Sequence, residues 1–169
     1  MSLNNPSPLR VACDGESSSG KSTAAKLISK KYKLFCMNSG LLFRYASRLI
    51  IKHKPKKTIS FLRKKFKNLN YKHIIHLNLH SQEISNHVAI LARQKKVRQI
   101  IRVFQKKIIR QHHRICCEGR DQASTILRKN PRYDVAFYFK CNLNTASLRR
   151  WRDLKKKIPL KEVKKSLRI

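Results

Sequence analysis

Residues 15–22, Gly15-Glu16-Ser17-Ser18-Ser19-Gly20-Lys21-Ser22, match the phosphate-binding loop pattern G-x-x-x-x-G-K-[ST] at every fixed position. The loop follows an apolar run at 9–13 and precedes a helix-like stretch that starts at Thr23. A strand that turns through such a loop into a helix aims successive backbone N–H groups at one point, where the positive end of the helix dipole also lies. The sequence therefore predicts that residues 15–23 hold the phosphates of a nucleotide.

Two side chains of the loop have further expected roles. Lys21 is placed to bridge the β- and γ-phosphates, and the Ser22 hydroxyl is placed to ligate Mg²⁺. The competing interpretation is a chance Gly/Ser-rich turn. It explains less, because the strand-like run, the motif and the helix-like stretch occur in the order that the mechanism needs.

The rest of the chain alternates short apolar runs with longer stretches of helical periodicity. The strand-like runs are 9–13, 34–37, 115–117 and 135–139. The helical stretches are about 21–31, 40–52, 82–111 and the segment that follows Asn144 as a cap, with another helix from 161. This alternation predicts an α/β fold with a parallel sheet of about four strands and helices on both faces.

Length and pattern predict a single domain over 1–169 with an inserted lobe at about 53–97. Within the lobe, a charged helix-like segment precedes residues 71–79, which alternate like a strand. The chain carries 41 Lys+Arg against 8 Asp+Glu, a formal net charge of +33. Non-specific adsorption to RNA is one expected consequence. The alternative is compositional drift on solvated faces, and it is favoured because the charge is spread along the chain.

Neither a disulfide framework nor a membrane span is indicated. The five cysteines are Cys13, Cys36, Cys116, Cys117 and Cys141. Four lie in or beside apolar strand-like runs, which is typical of small buried hydrophobes in a reducing compartment. The His-Cys run at 112–117 matches no standard zinc spacing. No apolar run is long enough to cross a membrane, and the N-terminal residues lack the design of a signal peptide, so we expect a cytoplasmic protein.

Four further stretches resemble segments of the bacterial cytidylate kinases, in the same order and with similar spacing. They are Asn38-Ser39-Gly40-Leu41-Leu42-Phe43-Arg44 after the second strand, Val97-Arg98 at the end of a helix that begins at Gln82, Glu118-Gly119-Arg120-Asp121 after the third strand, and residues 135–150. The likeness runs from about Arg10 to Arg152. It implies a P-loop kinase fold and transfer of the γ-phosphoryl group of ATP to CMP or dCMP, with Mg²⁺. We expect a monomer.

The resemblance also implies roles for individual residues. Residues Gly15 to Thr23 would hold the ATP phosphates, and the acceptor nucleotide would be held by Ser39, Arg44, Arg98, Arg120 and Asp121. A lid at about 149–160 would bring Arg149 and Arg150 over ATP, with Arg152 as a further candidate. With Lys21, the residues expected to take part in the transfer are Arg120, Asp121, Arg149 and Arg150.

The expected chemistry suits these residue types. A phosphate oxygen of the acceptor is already ionised near neutral pH, so the site needs positive charge and positioning, not a general base. Asp14 or Glu118, at the ends of two strands, is expected to orient the water shell of the metal. Asp121 has a competing role as the cap of a helix starting at Gln122, and Arg149 and Arg150 have one as ordinary surface charges.

The sequence departs from the family pattern at several positions. Asn38 replaces a carboxylate, Phe43 a tyrosine and Glu118 an aspartate, while Ala89 stands where a serine would face the base. The family's Arg-Asp-x-x-Asp-x-x-Arg stretch, fifth strand and final helix would follow Ile169. We therefore expect a sheet with an exposed edge, in a fragment or in a protein of reduced activity. Two alternatives stay open: a P-loop kinase for another small acceptor, and a weakly active P-loop domain that mainly binds RNA.

Overall fold

The computed structural model describes residues 6–168, which form two compact units. Residues up to Met37 and from Arg114 onward make the first unit, and Asn38–His113 make the second. In chain order the elements are β1 Leu9–Gly15, α1 Lys21–Lys31, β2 Phe35–Asn38, α2 Ser39–His53, α3 Thr58–Lys67, α4 Tyr71–Ile75, α5 Gln82–Leu91, α6 Lys95–Gln111, β3 Arg114–Gly119, a π-helical turn Gln122–Ile126, β4 Val135–Phe139, α7 Leu143–Asp153 and α8 Leu160–Leu167.

The first unit is built on a four-stranded sheet in the order β2-β3-β1-β4. Strand β1 runs parallel to both of its neighbours, so that Asp14 lies opposite Gly119 on one side and Gly15 lies opposite Phe139 on the other. Each of the four predicted strands is present, within two residues of its predicted ends. The α/β fold with a parallel sheet is confirmed.

Helix α1 covers one face of this sheet and places the loop that precedes it. Ala25 of α1 is buried in a cluster with Val11, Cys13, Leu34 and Cys116. The first residue of the helix, Lys21, lies near the carboxyl end of β3, since its Nζ is 3.6 Å from Glu118 Oε1. Packing of α1 thus fixes where the phosphate-binding loop sits.

Strand β4 is the most exposed strand of the sheet. Val135, Phe137 and Tyr138 are 40%, 44% and 61% exposed, and these side chains lie on both faces of the strand because successive residues alternate. Across residues 6–168, β4 pairs with β1 and with no other strand. The exposed edge expected from the sequence is present here.

The second unit is helical, and two sequence predictions were wrong in it. Residues 71–79 form no strand but begin with α4, whose start is capped by the Asn70 side chain accepting a hydrogen bond from the Lys72 N–H at 3.0 Å. The helix expected from Gln82 to Arg98 is two helices, since the chain turns at 92–94 between α5 and α6. The lobe predicted at 53–97 lies inside this unit, and the single-domain assignment stays a prediction.

Other expectations about the chain can be compared directly. Helix α7 starts at Leu143, and its cap is Asn142, not Asn144, because the Asn142 side chain accepts a hydrogen bond from the Thr145 N–H at 2.8 Å. All five cysteines are free. Between residues 6 and 168 no group of His, Cys, Asp and Glu is arranged to hold a metal by itself, and no helix is long and apolar enough to cross a membrane.

Candidate active site

The loop after β1 has the backbone that its glycines allow. Gly15 and Gly20 have φ angles of +155° and +92°, and Ser18 has a φ of +57°. A Cβ atom on Gly15 would collide with the carbonyl oxygen of Phe139, whose backbone lies beside the loop and accepts a hydrogen bond from the Glu16 N–H at 3.3 Å. Gly15 is therefore required both for its conformation and for the close approach of β4.

Lys21 folds back over this loop. Its Nζ donates a hydrogen bond to the Glu16 carbonyl oxygen at 3.0 Å, and the Ser19 hydroxyl donates to the same oxygen at 2.9 Å. The Lys21 ammonium group is thus held at the loop, where the motif needs it for a bound phosphate chain. Ser22 and Thr23 follow in the first turn of α1.

Glu118, at the end of β3, provides the carboxylate nearest to Lys21. Its Oε1 lies 3.6 Å from Lys21 Nζ, and the two side chains are only 5% and 12% exposed. Burial raises the pKa of Glu118, and the charge of Lys21 with a hydrogen bond from Ser22 partly offsets that rise. Glu118 Oε2 is buried and has no hydrogen-bond partner in the described part of the chain.

These features fit a hydrated Mg²⁺ beside the loop. A buried carboxylate oxygen without a partner costs free energy unless a donor or cation approaches it, and Mg²⁺ prefers oxygen ligands and keeps several of its waters. The Ser22 hydroxyl, which helps to lower the pKa of Glu118, supplies a second oxygen in the same place. Of the two carboxylates expected to orient the water shell, Glu118 is the one that has an oxygen without a hydrogen-bond partner among residues 6–168.

Asp14 has a different environment from the one expected. Its Oδ1 accepts a hydrogen bond from the Gln122 N–H and its Oδ2 accepts one from the Ala123 N–H, both at 2.8 Å. The side chain therefore caps the π-helical turn Gln122–Ile126, which is the role that sequence reasoning gave to Asp121. Each Asp14 oxygen already accepts a backbone N–H and the residue is only 5% exposed, so Glu118 is the better placed of the two carboxylates for the expected role at the metal.

Arg120 and Asp121 connect β3 to the π-helical turn. Arg120 is exposed and Asp121 is half-buried. The Asp121 backbone carbonyl accepts hydrogen bonds from Thr125 and Ile126, and its carboxylate receives a weak one from Gln122 Nε2 at 3.4 Å. This pair therefore lies beside the carboxyl end of β1, from which the phosphate-binding loop emerges.

Among the expected lid residues, Arg149 contacts the loop. Arg149 on α7 donates a hydrogen bond from a guanidinium nitrogen to the Ser18 carbonyl oxygen at 3.5 Å. Arg150 is half-buried and Arg152 is exposed on the same helix. After α7 the chain is held by a hydrogen bond of 2.9 Å from the Trp151 indole N–H to the Ile158 carbonyl oxygen.

The remaining expected acceptor residues lie in the second unit, and each is held by a neighbour there. Arg44 donates to the Leu79 carbonyl oxygen and to the Ser85 hydroxyl, both at 3.0 Å. Arg98 donates a long hydrogen bond, 3.5 Å, to the Ala92 carbonyl oxygen. The roles proposed for these residues stay predictions.

Ser39, the third of these residues, is 5% exposed and receives a 3.0 Å hydrogen bond from Gln105 Nε2. Sequence reasoning missed Gln105. A polar residue among apolar neighbours on α6, itself 3% exposed, is the signal that would have indicated it.

Comparison with known proteins assigns the family. The family model for cytidylate kinase matches residues 11–168. The chain is similar to the cytidylate kinase of Phytoplasma mali, with 27% identity over 92% of this chain and 73% of that protein. It is also similar to the cytidylate kinase of Clostridioides difficile, with 28% identity over 86% of this chain and 71% of that protein.

A third relative is a longer protein, the bifunctional pantoate ligase/cytidylate kinase of Prochlorococcus marinus. It is 31% identical over 87% of this chain, and the chain spans 31% of it. Each relative matches most of the chain, and the family model includes both the phosphate-binding loop and the Glu118-Gly119-Arg120-Asp121 segment. The chain belongs to the cytidylate kinase family.

Proposed function

We propose that the protein is a nucleoside monophosphate kinase that transfers the γ-phosphoryl group of ATP to CMP or dCMP, giving CDP or dCDP. The observation that carries the proposal is the placement of Lys21 against the phosphate-binding loop, beside the buried carboxylate of Glu118, in a chain of the cytidylate kinase family. The names of the relatives support cytidine monophosphates over another acceptor.

In this proposal the loop and α1 bind the triphosphate of ATP. Backbone amides of residues 15–23 surround the β-phosphate, and Lys21 exchanges its contact with the Glu16 carbonyl oxygen for phosphate oxygens. Arg149 already contacts Ser18 of the loop, so it adds positive charge on the side where α7 lies. Arg150 and Arg152 are proposed to follow it when the 149–160 segment closes over the nucleotide.

Mg²⁺ neutralises charge on the phosphates when it is bound. We assign its place to the Ser22 hydroxyl and to the water shell held by Glu118, because Glu118 Oε2 has no hydrogen-bond partner among residues 6–168. The charge of the Lys21 ammonium group favours the ionised form of Glu118 and so opposes the rise in pKa that burial causes, and that form accepts hydrogen bonds from those waters.

We propose that Arg120 and Asp121 bind the acceptor, and the family pattern extends that role to Ser39, Arg44 and Arg98. The guanidinium groups suit the phosphate of a nucleoside monophosphate, because a planar fork of donors meets two phosphate oxygens at once. Since that phosphate is already ionised, these residues need only hold it in line with the γ-phosphorus.

The test is a panel of acceptors. Formation of ADP from ATP and Mg²⁺ would be measured with CMP, dCMP, UMP, AMP, GMP and a small metabolite alcohol in turn. We expect kcat/KM to be highest for CMP or dCMP. Turnover with a different acceptor would move the assignment to the alternative kinase, and folded protein without acceptor-dependent turnover would refute the proposal.

RNA binding is a separate candidate function, because a protein with a formal net charge of +33 attracts polyanions. Electrostatic adsorption loses affinity steeply as salt is raised, whereas a dedicated site keeps a preference for certain sequences or structures at physiological salt. Binding of several unrelated RNAs at rising salt separates the two cases. We expect the affinity for all of these RNAs to fall to the same degree as salt is raised. We also expect the protein to act as a monomer.

A further inference from the structure

Asp14 joins the phosphate-binding loop to the Arg120–Asp121 segment in a way that no motif indicates. Asp14 lies next to the end of β1 and immediately precedes Gly15, the first residue of the loop motif. Its neighbour in the adjacent strand is Gly119, the last residue of β3. Arg120 and Asp121 follow Gly119 at once.

The other end of that two-residue segment is held by the same residue. After Asp121 the chain enters the π-helical turn, and its first two amides, those of Gln122 and Ala123, donate to the two oxygens of the Asp14 carboxylate at 2.8 Å. Both ends of the Arg120–Asp121 segment are thus attached to Asp14, one through the pairing of β1 with β3 and one through its side chain.

The environment makes this attachment strong and specific. Asp14 is 5% exposed and Gln122 is fully buried, so water competes little for these hydrogen bonds. A carboxylate that accepts two N–H groups forms charge-assisted hydrogen bonds, which are shorter and stronger than neutral ones. The carbonyl oxygens of Asp121 and Gln122 in turn accept hydrogen bonds from Ile126 and Leu127, so the turn itself is closed.

We propose that Asp14 is a positioning residue, which fixes the Arg120–Asp121 segment relative to the phosphate-binding loop and thereby sets the affinity for the acceptor nucleotide. Its part in acceptor affinity rests on the proposed function, whereas its part as an anchor does not. In-line transfer needs the two substrates to be held within a fraction of an ångström of their reacting positions. An anchor shared by the two binding segments meets that requirement, because the segments move together.

The test replaces Asp14 with asparagine, which keeps the shape of the side chain. An amide has one acceptor oxygen, so its NH₂ group would face one of the two backbone N–H donors and that hydrogen bond would be lost. The matched control is Asp134→Asn. Asp134 also accepts a hydrogen bond from a β1 amide, that of Arg10 at 2.7 Å, but at the opposite end of the strand.

Two readouts separate a positioning role from a merely structural one. We expect Asp14→Asn to raise KM for CMP at least about tenfold while KM for ATP changes less than about twofold, since Lys21 and the loop are retained. We expect deuterium exchange at the 120–127 backbone to become faster in this variant. Asp134→Asn should change neither KM, and should leave exchange at 120–127 as in the unmodified protein.

The outcomes distinguish the proposal from the function on which it rests. Equal changes in both KM values, or the same pattern in Asp134→Asn, would overturn the positioning role. If no monophosphate is phosphorylated by the unmodified protein, the proposed function fails, and the exchange measurement still decides whether Asp14 is the anchor. If Asp14→Asn does not fold, exchange in the unmodified protein decides: slow exchange at Gln122 and Ala123 supports the anchor, and fast exchange there refutes it.

Discussion

Replacing Lys21 with methionine should separate the two tasks of this side chain, binding phosphate and compensating a buried carboxylate. Methionine keeps the length of the stem and removes the charge. The substitution removes the Lys21 ammonium group, which lies 3.0 Å from the Glu16 carbonyl oxygen and 3.6 Å from Glu118 Oε1. Glu118 then stays buried without its nearest cation.

The magnitude follows from that separation. Coulomb's law with an effective dielectric constant of about 20 gives an attraction of about 5 kcal/mol for unit charges 3.6 Å apart. The net loss is smaller, because Glu118 takes up a proton when Lys21 is absent. We expect the free energy of unfolding at neutral pH to fall by about 1–3 kcal/mol. We expect kcat/KM to fall by a factor of about 10²–10³, as for the loss of one preorganised charge at a transition state.

Urea unfolding and ADP formation with CMP measure the two effects on the same preparations. The double variant Lys21→Met/Glu118→Gln should recover most of the lost stability and none of the lost activity, since the buried charge is gone and the phosphate contact is still missing. Lys30→Met, at an exposed position on the same helix, is the control for removing one positive charge. A Lys21→Met protein as stable as the unmodified one, or a double variant no more stable than the single one, would refute the reasoning.

Three further changes have expected outcomes. The pKa of Glu118 is raised above its ordinary value of 4.5, so the folded state binds the proton more tightly and stability should fall as the pH rises above that value; urea unfolding against pH should show this slope in the unmodified protein and not in Glu118→Gln. Gly15→Ala should lower the melting temperature and ATP affinity together, because its Cβ would meet the Phe139 backbone; unchanged melting would contradict the close approach. Arg149→Gln should raise KM for ATP several-fold with KM for CMP unchanged, and the reverse split would place this arginine at the acceptor.

Local pattern was enough to predict the strands and α1 of the first unit, but not the cap of α7. Its loop motif, its strands and the helix from 21 to 31 are encoded by neighbouring residues, and each appeared where the pattern placed it. The second unit was less predictable, because short helices depend on caps and on turns that carry no glycine or proline signal. The break at 92–94 is such a turn, formed by hydrogen bonds from residues 93 and 94 to carbonyls three residues earlier.

The contacts that organise the site were hidden for a different reason. Asp14 meets Gln122 across 108 positions of sequence, and Gln105 meets Ser39 across 66. Both are hydrogen bonds between buried groups that only the folded chain brings together. A motif shows that a carboxylate stands before the loop, but the choice between metal and backbone amides is made by tertiary structure, and in this protein Asp14 faces the amides.

Strand β4 has a consequence for how the protein behaves in solution. Among residues 6–168 no strand pairs with its outer edge, and apolar side chains lie on both of its faces, which is the arrangement by which copies of a protein add to one another. Exposed Arg132 and Lys140 flank the strand, and the molecule carries a charge of +33, so at low ionic strength electrostatic repulsion holds the copies apart. Salt shortens the reach of that repulsion to about 8 Å at 0.15 M. Added salt should therefore promote self-association of this protein, and dilute buffer should be the better storage condition.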